Sequence, residues 1–233
     1  MNLLGIAGRA RSGKDTLSQF VKEEFEKKHN RKFYDAAFAF ELKNMCKFQF
    51  GLNGDQLWGD KKEIEDERFP KKPDIDWNGA SFKCGTIMEP ICYWTAREIM
   101  QEMGAFYRKI DRDFWVKGLR KFLQAETFKG HKDFIITDVR YRNEVEFIKS
   151  RKGFLIRIER GLENRDQVHG VTHESEIDLD EYKDFDMFID NNGDLNDLKI
   201  ASCNIVNGIL AIEKLIENGG IYNGNKEIKG INN

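Results

Sequence analysis

The feature that constrains the fold most is a glycine-rich segment close to the start of the chain. Residues 8–16 read GRARSGKDT, which fits the pattern G-x-x-x-x-G-K. A short apolar run, Leu3–Ala7, precedes the segment, and an amphipathic stretch, Lys14–Lys28, follows it. The run predicts a buried strand of a parallel sheet, and the stretch predicts a helix. Between a strand and a helix, this pattern predicts a phosphate-binding loop.

The residues of this loop suit phosphate binding, with one departure from the usual pattern. Loop amides and the positive end of the next helix attract phosphate oxygens, and Lys14 adds a positive charge. We expect nucleotide contacts from Gly8, Arg11, Ser12, Gly13, Lys14, Asp15 and Thr16. Asp15 stands where Ser or Thr usually binds Mg²⁺, so either Asp15 or Thr16 contacts the metal. The alternative is a plain glycine turn into a capped helix, with Lys14 in solvent.

Composition excludes several other classes of protein. Lys and Arg number 38 against 40 Asp and Glu, a net charge of −2, which excludes nucleic-acid binding through bulk charge. No apolar run approaches the roughly 20 residues that cross a bilayer, and the first residues lack a signal-peptide pattern. The cysteines form no C-x-x-C pair and the histidines no H-E-x-x-H pair, which argues against zinc. We therefore expect a cytoplasmic protein with reduced thiols.

Five short apolar runs alternate with helical stretches along the chain. The runs are Leu3–Ala7, Phe33–Phe40, Phe134–Thr137, Phe154–Ile158 and Phe185–Ile189. The later helical stretches are Glu41–Cys46, a piece that starts at Thr95 and ends at Gly104, Asp113–Gln124, Arg142–Ser150 and Leu195–Ile216. This alternation predicts a three-layer α/β fold, a five-stranded parallel sheet with helices on both faces. Ligands bind outside the carboxyl ends of such strands.

The chain shows no linker or repeat that would divide it. We expect one domain over residues 1–218 and a flexible, Gly- and Asn-rich tail over 219–233. Residues 51–85 are polar, and we expect little regular structure there. The loop Glu159–Glu176 is either a lid over the phosphates or a long surface loop.

Asp138 follows an apolar strand and is a candidate metal-binding residue. A carboxylate in this place holds Mg²⁺ through water beside a phosphate loop. Its alternative role is the N-cap of the next helix.

Arginines occur in three clusters that suit phosphoryl transfer. The clusters are Arg97 with Arg108 and Arg112, Arg140 with Arg142, and Arg157 with Arg160 and Arg165. The guanidinium fork binds phosphate oxygens in pairs, and transfer between two anionic substrates needs such cations. Around a phosphate loop, they favour a transferase over a plain nucleotide hydrolase, although any one of them can be a surface charge.

Several motifs together resemble those of a known enzyme family. They are the loop at 8–16, Thr95-Ala96-Arg97 with Gln101 and Gly104, Asp113-Phe114-Trp115, Asp138-Val139-Arg140 with Asn143-Glu144, and His173 followed by Ser175-Glu176. In this order they resemble the bacteriophage-type deoxynucleoside monophosphate kinases, a branch of the adenylate-kinase-like phosphate-loop kinases. They extend over about residues 5–176 and leave 51–85 unmatched.

The resemblance implies an activity and an architecture. The reaction is transfer of the ATP γ-phosphate to a deoxynucleoside 5′-monophosphate, with ATP and Mg²⁺ as cofactors. The architecture is a core with an acceptor-binding insertion at about 41–125 and a short lid at about 159–178. The partners are small nucleotides, not nucleic acid or a membrane, and a homodimer stays open. A phage-encoded protein would work in the host cytoplasm.

The resemblance also assigns residues. Arg97 binds the acceptor phosphate, Arg140 binds the substrate or the transferred phosphate, and Arg160 or Arg165 acts from the lid. With Lys14, the last three are the candidate catalytic residues. The further candidates for substrate binding are Gln101, Arg108 and Asp138.

Two other functions stay open on sequence alone. One is a different small-molecule kinase of this fold, acting on dephospho-coenzyme A or a sugar acid, because its donor site has the same residues. The other is a non-catalytic module that binds a nucleotide as a structural or switching ligand.

Overall fold

The computed structural model describes residues 2–71, 92–161 and 178–219. The strands are β1 (Asn2–Ala7), β2 (Phe33–Ala36), β3 (Glu65–Pro70), β4 (Tyr93–Thr95), β5 (Asp133–Val139), β6 (Phe154–Glu159) and β7 (Met187–Asp190). The helices are α1 (Lys14–His29), α2 (Phe40–Phe50), α3 (Gly54–Leu57), α4 (Ala96–Ile110), α5 (Phe114–Phe128), α6 (Arg142–Ser150) and α7 (Leu195–Glu217). None of the helices in these ranges has the length and apolarity needed to cross a bilayer.

Five of the strands form a sheet in the order β2-β5-β1-β6-β7, and every neighbouring pair is parallel. Strand β1 therefore lies in the middle, between β5 and β6. This confirms the predicted fold class, an α/β protein with a five-stranded parallel sheet.

Helices cover both faces of the sheet, because the side chains of each strand alternate between two buried clusters. From β1, Leu4 and Ile6 join the cluster that contains α1 and α7, whereas Leu3 and Ala7 join the cluster that contains α5 and α6. Gly5 lies on the second face, where an added Cβ would be 2.6 Å from Ile148 Cδ1 of α6. Both faces of the central strand are thus buried under helices.

The connections diverge at one edge of the sheet, which is formed by the carboxyl ends of β1 and β6. From β1 the chain runs to β2 on one side, and from β6 it runs to β7 on the other side. Connections that diverge from neighbouring strands leave room for a ligand at their carboxyl ends. The loop after β1 lies at this edge.

Several predicted boundaries were wrong. The second strand ends at Ala36 rather than Phe40, and α2 extends from Phe40 to Phe50. Helix α4 does not end at Gly104 but continues to Ile110. The carbonyl of Gly104 accepts a hydrogen bond from Trp115 Nε1 at 3.2 Å, so tertiary contacts stabilise the helix through its glycine. The fifth strand begins at Met187 rather than Phe185.

The expectation of little regular structure in 51–85 was wrong for residues 54–70. They form α3, a 3₁₀ turn (Asp60–Glu63) and β3, which pairs antiparallel with β4. A capping box between Asn53 and Gln56 begins α3, although the helix itself is only four residues long. The partner strand of β3 lies far along the chain, which is why local polarity misled the prediction.

The chain divides into two compact units. One unit comprises the chain up to Phe38 and from Val116 onward, and it contains the parallel sheet. The other, Ala39–Trp115, has its own core. The buried members of that core are Leu42, Cys46, Leu52, Leu57, Ala96, Ile99 and Trp115. The insertion was expected at about 41–125; in the structure, residues 116–125 belong to the unit of the parallel sheet.

An ion-pair network stabilises the sheet at the amino-terminal ends of its strands. Arg31 donates to both oxygens of Asp133, the first residue of β5, at 2.8 and 2.9 Å. It also donates to both oxygens of Glu213 on α7, at 2.8 and 2.9 Å. Burial alone would lower the pKa of Arg31, but the hydrogen bonds to the two carboxylates outweigh it and raise the pKa above its usual value. The network joins three distant segments of the chain.

We predict that Asp133→Asn lowers the free energy of unfolding by about 1 to 3 kcal/mol, because a half-buried guanidinium loses a charged partner. Urea unfolding measures this change. The control is Asp35→Asn, which removes an exposed pair with Lys22; we expect a change of less than about 1 kcal/mol. Equal effects of the two variants would show that the Arg31–Asp133 pair contributes no more to stability than the exposed pair does.

Candidate active site

The segment 8–13 connects β1 to α1, as the sequence predicted. The backbone of Gly13 is left-handed at φ 97°, and Lys14 is the first residue of the helix. Arg11 is also left-handed, at φ 60°. Left-handed residues on either side of Ser12 turn the chain tightly at the start of the helix.

Both glycines of the pattern are required by their surroundings. A Cβ on Gly8 would lie 2.5 Å from the carbonyl oxygen of Ile158 on β6 and 2.7 Å from Ser12 Oγ. A Cβ on Gly13 would overlap Asn191 Nδ2, and a positive φ disfavours any other residue there. The loop therefore packs directly against the carboxyl ends of the neighbouring strands.

The side chain of Lys14 folds back over the loop. Its Nζ donates to the carbonyl oxygens of Gly8 and Arg9, at 2.7 and 2.6 Å. The alternative in which Lys14 points into solvent was therefore wrong. The ammonium group is held against the loop, where an anion bound by the loop amides would meet it.

Ser12 is the buried polar residue of the loop. It is 4% exposed, and its Oγ has no hydrogen-bond partner in the structure as described. Arg11, Asp15 and Thr16 are exposed. A buried hydroxyl without a partner is costly, and a bound phosphate oxygen would satisfy it.

Asp138 lies in β5, one residue before Val139, which pairs with Ala7 at the end of β1. Its Oδ1 accepts a hydrogen bond from the amide of Phe38 at 3.0 Å. The N-cap of α6 is Tyr141, so the alternative in which Asp138 caps that helix was wrong.

Glu144 organises the turn that carries Arg140. It is 2% exposed, and its Oε2 accepts from the amides of Arg140 and Tyr141 at 2.8 and 3.1 Å. A buried carboxylate with two amide donors fixes the backbone locally. Glu144 belongs to the motif that starts at Asp138, but the motif alone predicted no role for it.

A chain of charges connects the loop to β6. Arg157 is 7% exposed at the position of β6 that pairs with Ala7. Its Nη2 donates to Asp180 Oδ1 at 3.1 Å and its Nε to Glu159 at 3.1 Å. The other oxygen of Asp180 pairs with Arg9. A carboxylate shared by two arginines was not detectable from the sequence, because its three residues are far apart along the chain.

The unit Ala39–Trp115 contains the candidate acceptor-binding residues of α4. The predicted capping box is confirmed: Thr95 Oγ1 accepts from the Glu98 amide at 3.2 Å, and Glu98 accepts from the Thr95 amide at 2.9 Å. Burial raises the pKa of Glu98, but Lys71 and the Thr95 amide lower it more, so the pKa is below its usual value. The cap fixes the start of α4.

Three predicted acceptor residues share one side of α4. Arg97, Gln101 and Arg108 are four and seven residues apart in succession, which brings them into line on a helix. Arg97 Nε pairs with Glu63 of the 3₁₀ turn. Among the described residues, the two Nη groups of Arg97 have no hydrogen-bond partner.

Two candidate lid residues remain without structural support. Arg160 follows β6 and is exposed. Arg165, His173 and most of the expected lid lie outside the described residues, as do the residues of the tail from 220 onward.

The residues proposed for the metal fit Mg²⁺. No group of three or more His, Cys, Asp or Glu side chains in the described ranges forms a metal cage. Mg²⁺ in nucleotide sites needs only one or two protein oxygens, with phosphates and water as its other ligands. Asp15, Thr16 and Asp138 offer such oxygens beside the loop or at the neighbouring strand end.

The fold is that of an α/β protein with a glycine–lysine loop at the carboxyl end of its central strand. A family model described as "Deoxynucleotide monophosphate kinase" matches residues 63–201, more than half of the chain. The chain belongs to the deoxynucleotide monophosphate kinase family, and it is a kinase. The match includes Arg97, Asp138 and Arg140 but not the loop at 8–16.

The proteins similar to this chain include a viral relative and a solved structure. A putative deoxynucleotide monophosphate kinase of Acanthamoeba polyphaga mimivirus is 29% identical over 216 residues, which is 87% of this chain and 96% of the relative. A sugar kinase crystal structure from Janibacter sp. HTCC2649 covers 95% of this chain and 99% of its own, at 10% identity and a TM-score of 0.41. That second likeness is too weak to inform the fold or the substrate.

We predict that Gly8→Ala lowers the free energy of unfolding by about 1 to 3 kcal/mol, because its methyl group would collide with the backbone of β6. Chemical denaturation measures the effect. Gly54→Ala is the control, since a Cβ there meets nothing within 4 Å. A Gly8→Ala variant as stable as the control would show that the loop packs differently.

Proposed function

We propose that the protein transfers the γ-phosphate of ATP to a deoxynucleoside 5′-monophosphate and releases ADP and the deoxynucleoside diphosphate. One observation carries the proposal. In a chain of this kinase family, Lys14 is folded over a tight glycine loop at the end of the central strand. This arrangement suits the polyphosphate of a nucleotide.

The donor phosphates bind at the loop in this proposal. Amides of residues 8–16 and the Ser12 hydroxyl hold phosphate oxygens, while Lys14 moves from the loop carbonyls to the β- and γ-phosphates. Arg11 is exposed at the rim and adds a second cation. Mg²⁺, held by Asp15 or Thr16 and through water by Asp138, would neutralise charge on the phosphates.

The acceptor phosphate binds to Arg97 in this proposal. Glu63 occupies Nε, so the two Nη groups are left to form a paired contact with phosphate oxygens. Gln101 and Arg108 lie along the same side of α4 and contact the rest of the acceptor. Arg140, on the turn fixed by Glu144, contacts the transferred group.

The chemistry needs neither a phosphoenzyme nor a general base. The acceptor phosphate is already an anion at neutral pH, so positioning and charge neutralisation supply most of the catalysis. Arg160 and Arg165 are the further cations proposed for the transition state.

We predict ADP formation that depends on both Mg-ATP and a deoxynucleoside monophosphate. The assay offers each common nucleoside and deoxynucleoside monophosphate, and also dephospho-coenzyme A and a sugar acid. Lys14→Ala should lower the rate by about 100-fold or more, since it removes a charge that acts on the transferring phosphate.

Each of the other outcomes would indicate a different function. Turnover with only dephospho-coenzyme A or the sugar acid would show that the acceptor is not a nucleoside monophosphate. ATP binding without turnover on any acceptor would indicate a nucleotide-binding module instead of an enzyme active on this panel.

We further predict that Arg97→Ala raises KM for the acceptor about 10- to 100-fold, the cost of a lost charge-assisted phosphate contact. KM for ATP should stay within about twofold, because the loop is untouched. Steady-state kinetics with each substrate varied separates the two. Lys109→Ala, an exposed change on the same helix, is the control. Equal increases in both KM values would exclude a specific acceptor role.

A further inference from the structure

Asn191 connects the last strand of the sheet to the phosphate loop. It follows β7 directly, and its amide donates to the carbonyl oxygen of Glu159 at 2.7 Å. Its side-chain Nδ2 donates to the carbonyl oxygen of Ser12 at 2.9 Å. The two segments are 179 residues apart in the chain, so this contact exists only in the folded sheet.

The side chain of Asn191 also fits against Gly13. A Cβ on Gly13 would overlap Nδ2, so the missing side chain makes room for the hydrogen bond to Ser12. Two features therefore require glycine at position 13: its positive φ and the close approach of the Asn191 side chain.

The hydrogen bond constrains the peptide between Ser12 and Gly13. A trans peptide is planar, so its carbonyl oxygen and its N–H point in opposite directions. Because Asn191 holds the Ser12 oxygen toward β7, the Gly13 N–H points away from β7. Glycine tolerates many backbone angles, so without this anchor the peptide would rotate at little cost.

We propose that Asn191 is a positioning residue of the donor site, which orients the Gly13 N–H toward a bound phosphate. This role rests on the proposed function, since it requires a phosphate at the loop. Asn191 does not touch the nucleotide in this account; it acts through the Ser12–Gly13 peptide.

The test compares ADP affinity in Asn191→Ala and Asn191→Asp with the wild-type protein by calorimetry. Both variants should bind ADP about 5- to 10-fold more weakly near neutral pH, because each loses the hydrogen bond that orients the Gly13 N–H. Asn196→Ala, an exposed change near the start of α7, is the control and should bind as wild type does. Thermal unfolding of each variant verifies that it is folded.

The pH dependence separates positioning from general damage. A carboxylate in Asn191→Asp cannot donate to the Ser12 oxygen, but the protonated acid can. An Asp pKa lies near 4 in water, and a facing carbonyl raises it. The affinity of Asn191→Asp relative to wild type should therefore recover as the pH falls to the pKa of the introduced acid, whereas that of Asn191→Ala should stay constant.

The outcomes distinguish the two claims. Wild-type affinity in Asn191→Ala, or no recovery of Asn191→Asp at low pH, would overturn the positioning role while leaving the donor site intact. No binding of ADP by the wild-type protein would overturn the proposed function and this role with it.

Discussion

The burial of β1 on all sides is the constraint on which the rest of the structure depends. Strands β5 and β6 pair with both of its edges, and helices cover both of its faces. Directly after β1, the backbone of β6 leaves no space for a side chain at position 8. Gly8 fits against β6, and the chain turns at once into α1. The site is therefore a direct consequence of how the central strand is packed.

In each of the two units, acidic side chains hold charged groups or their backbone in place. Asp180 holds Arg9 of the loop and is itself held by the buried Arg157. Glu144 fixes the turn that carries Arg140, and in the other unit Glu63 pairs with Arg97. Cations that are fixed before a phosphate arrives need little rearrangement when it binds. An acidic residue thus orients the side chain of Arg97 and the backbone of Arg140.

The sequence was sufficient for local features and for the fold class. Short apolar runs located the five strands of the sheet, and Thr95 with Glu98 correctly predicted the start of α4. The errors occur where distant contacts override local preference. Gly104 lies inside a helix because Trp115 binds its carbonyl, and residues 54–70 are ordered by a strand more than twenty residues later. The role of Asn191 was not detectable from the sequence, since its partner Ser12 is 179 residues away.

The most direct test of the account is hydrogen exchange with and without ADP and Mg²⁺, read for each peptide of the chain. We expect slower exchange at residues 8–16 and at the ends of β5 and β7, because bound phosphates should protect the loop amides and stabilise the strands that support them. Addition of a deoxynucleoside monophosphate should extend the protection to the first turns of α4. Unchanged exchange at residues 8–16 in the presence of bound nucleotide would contradict the central claim that this loop holds the phosphates.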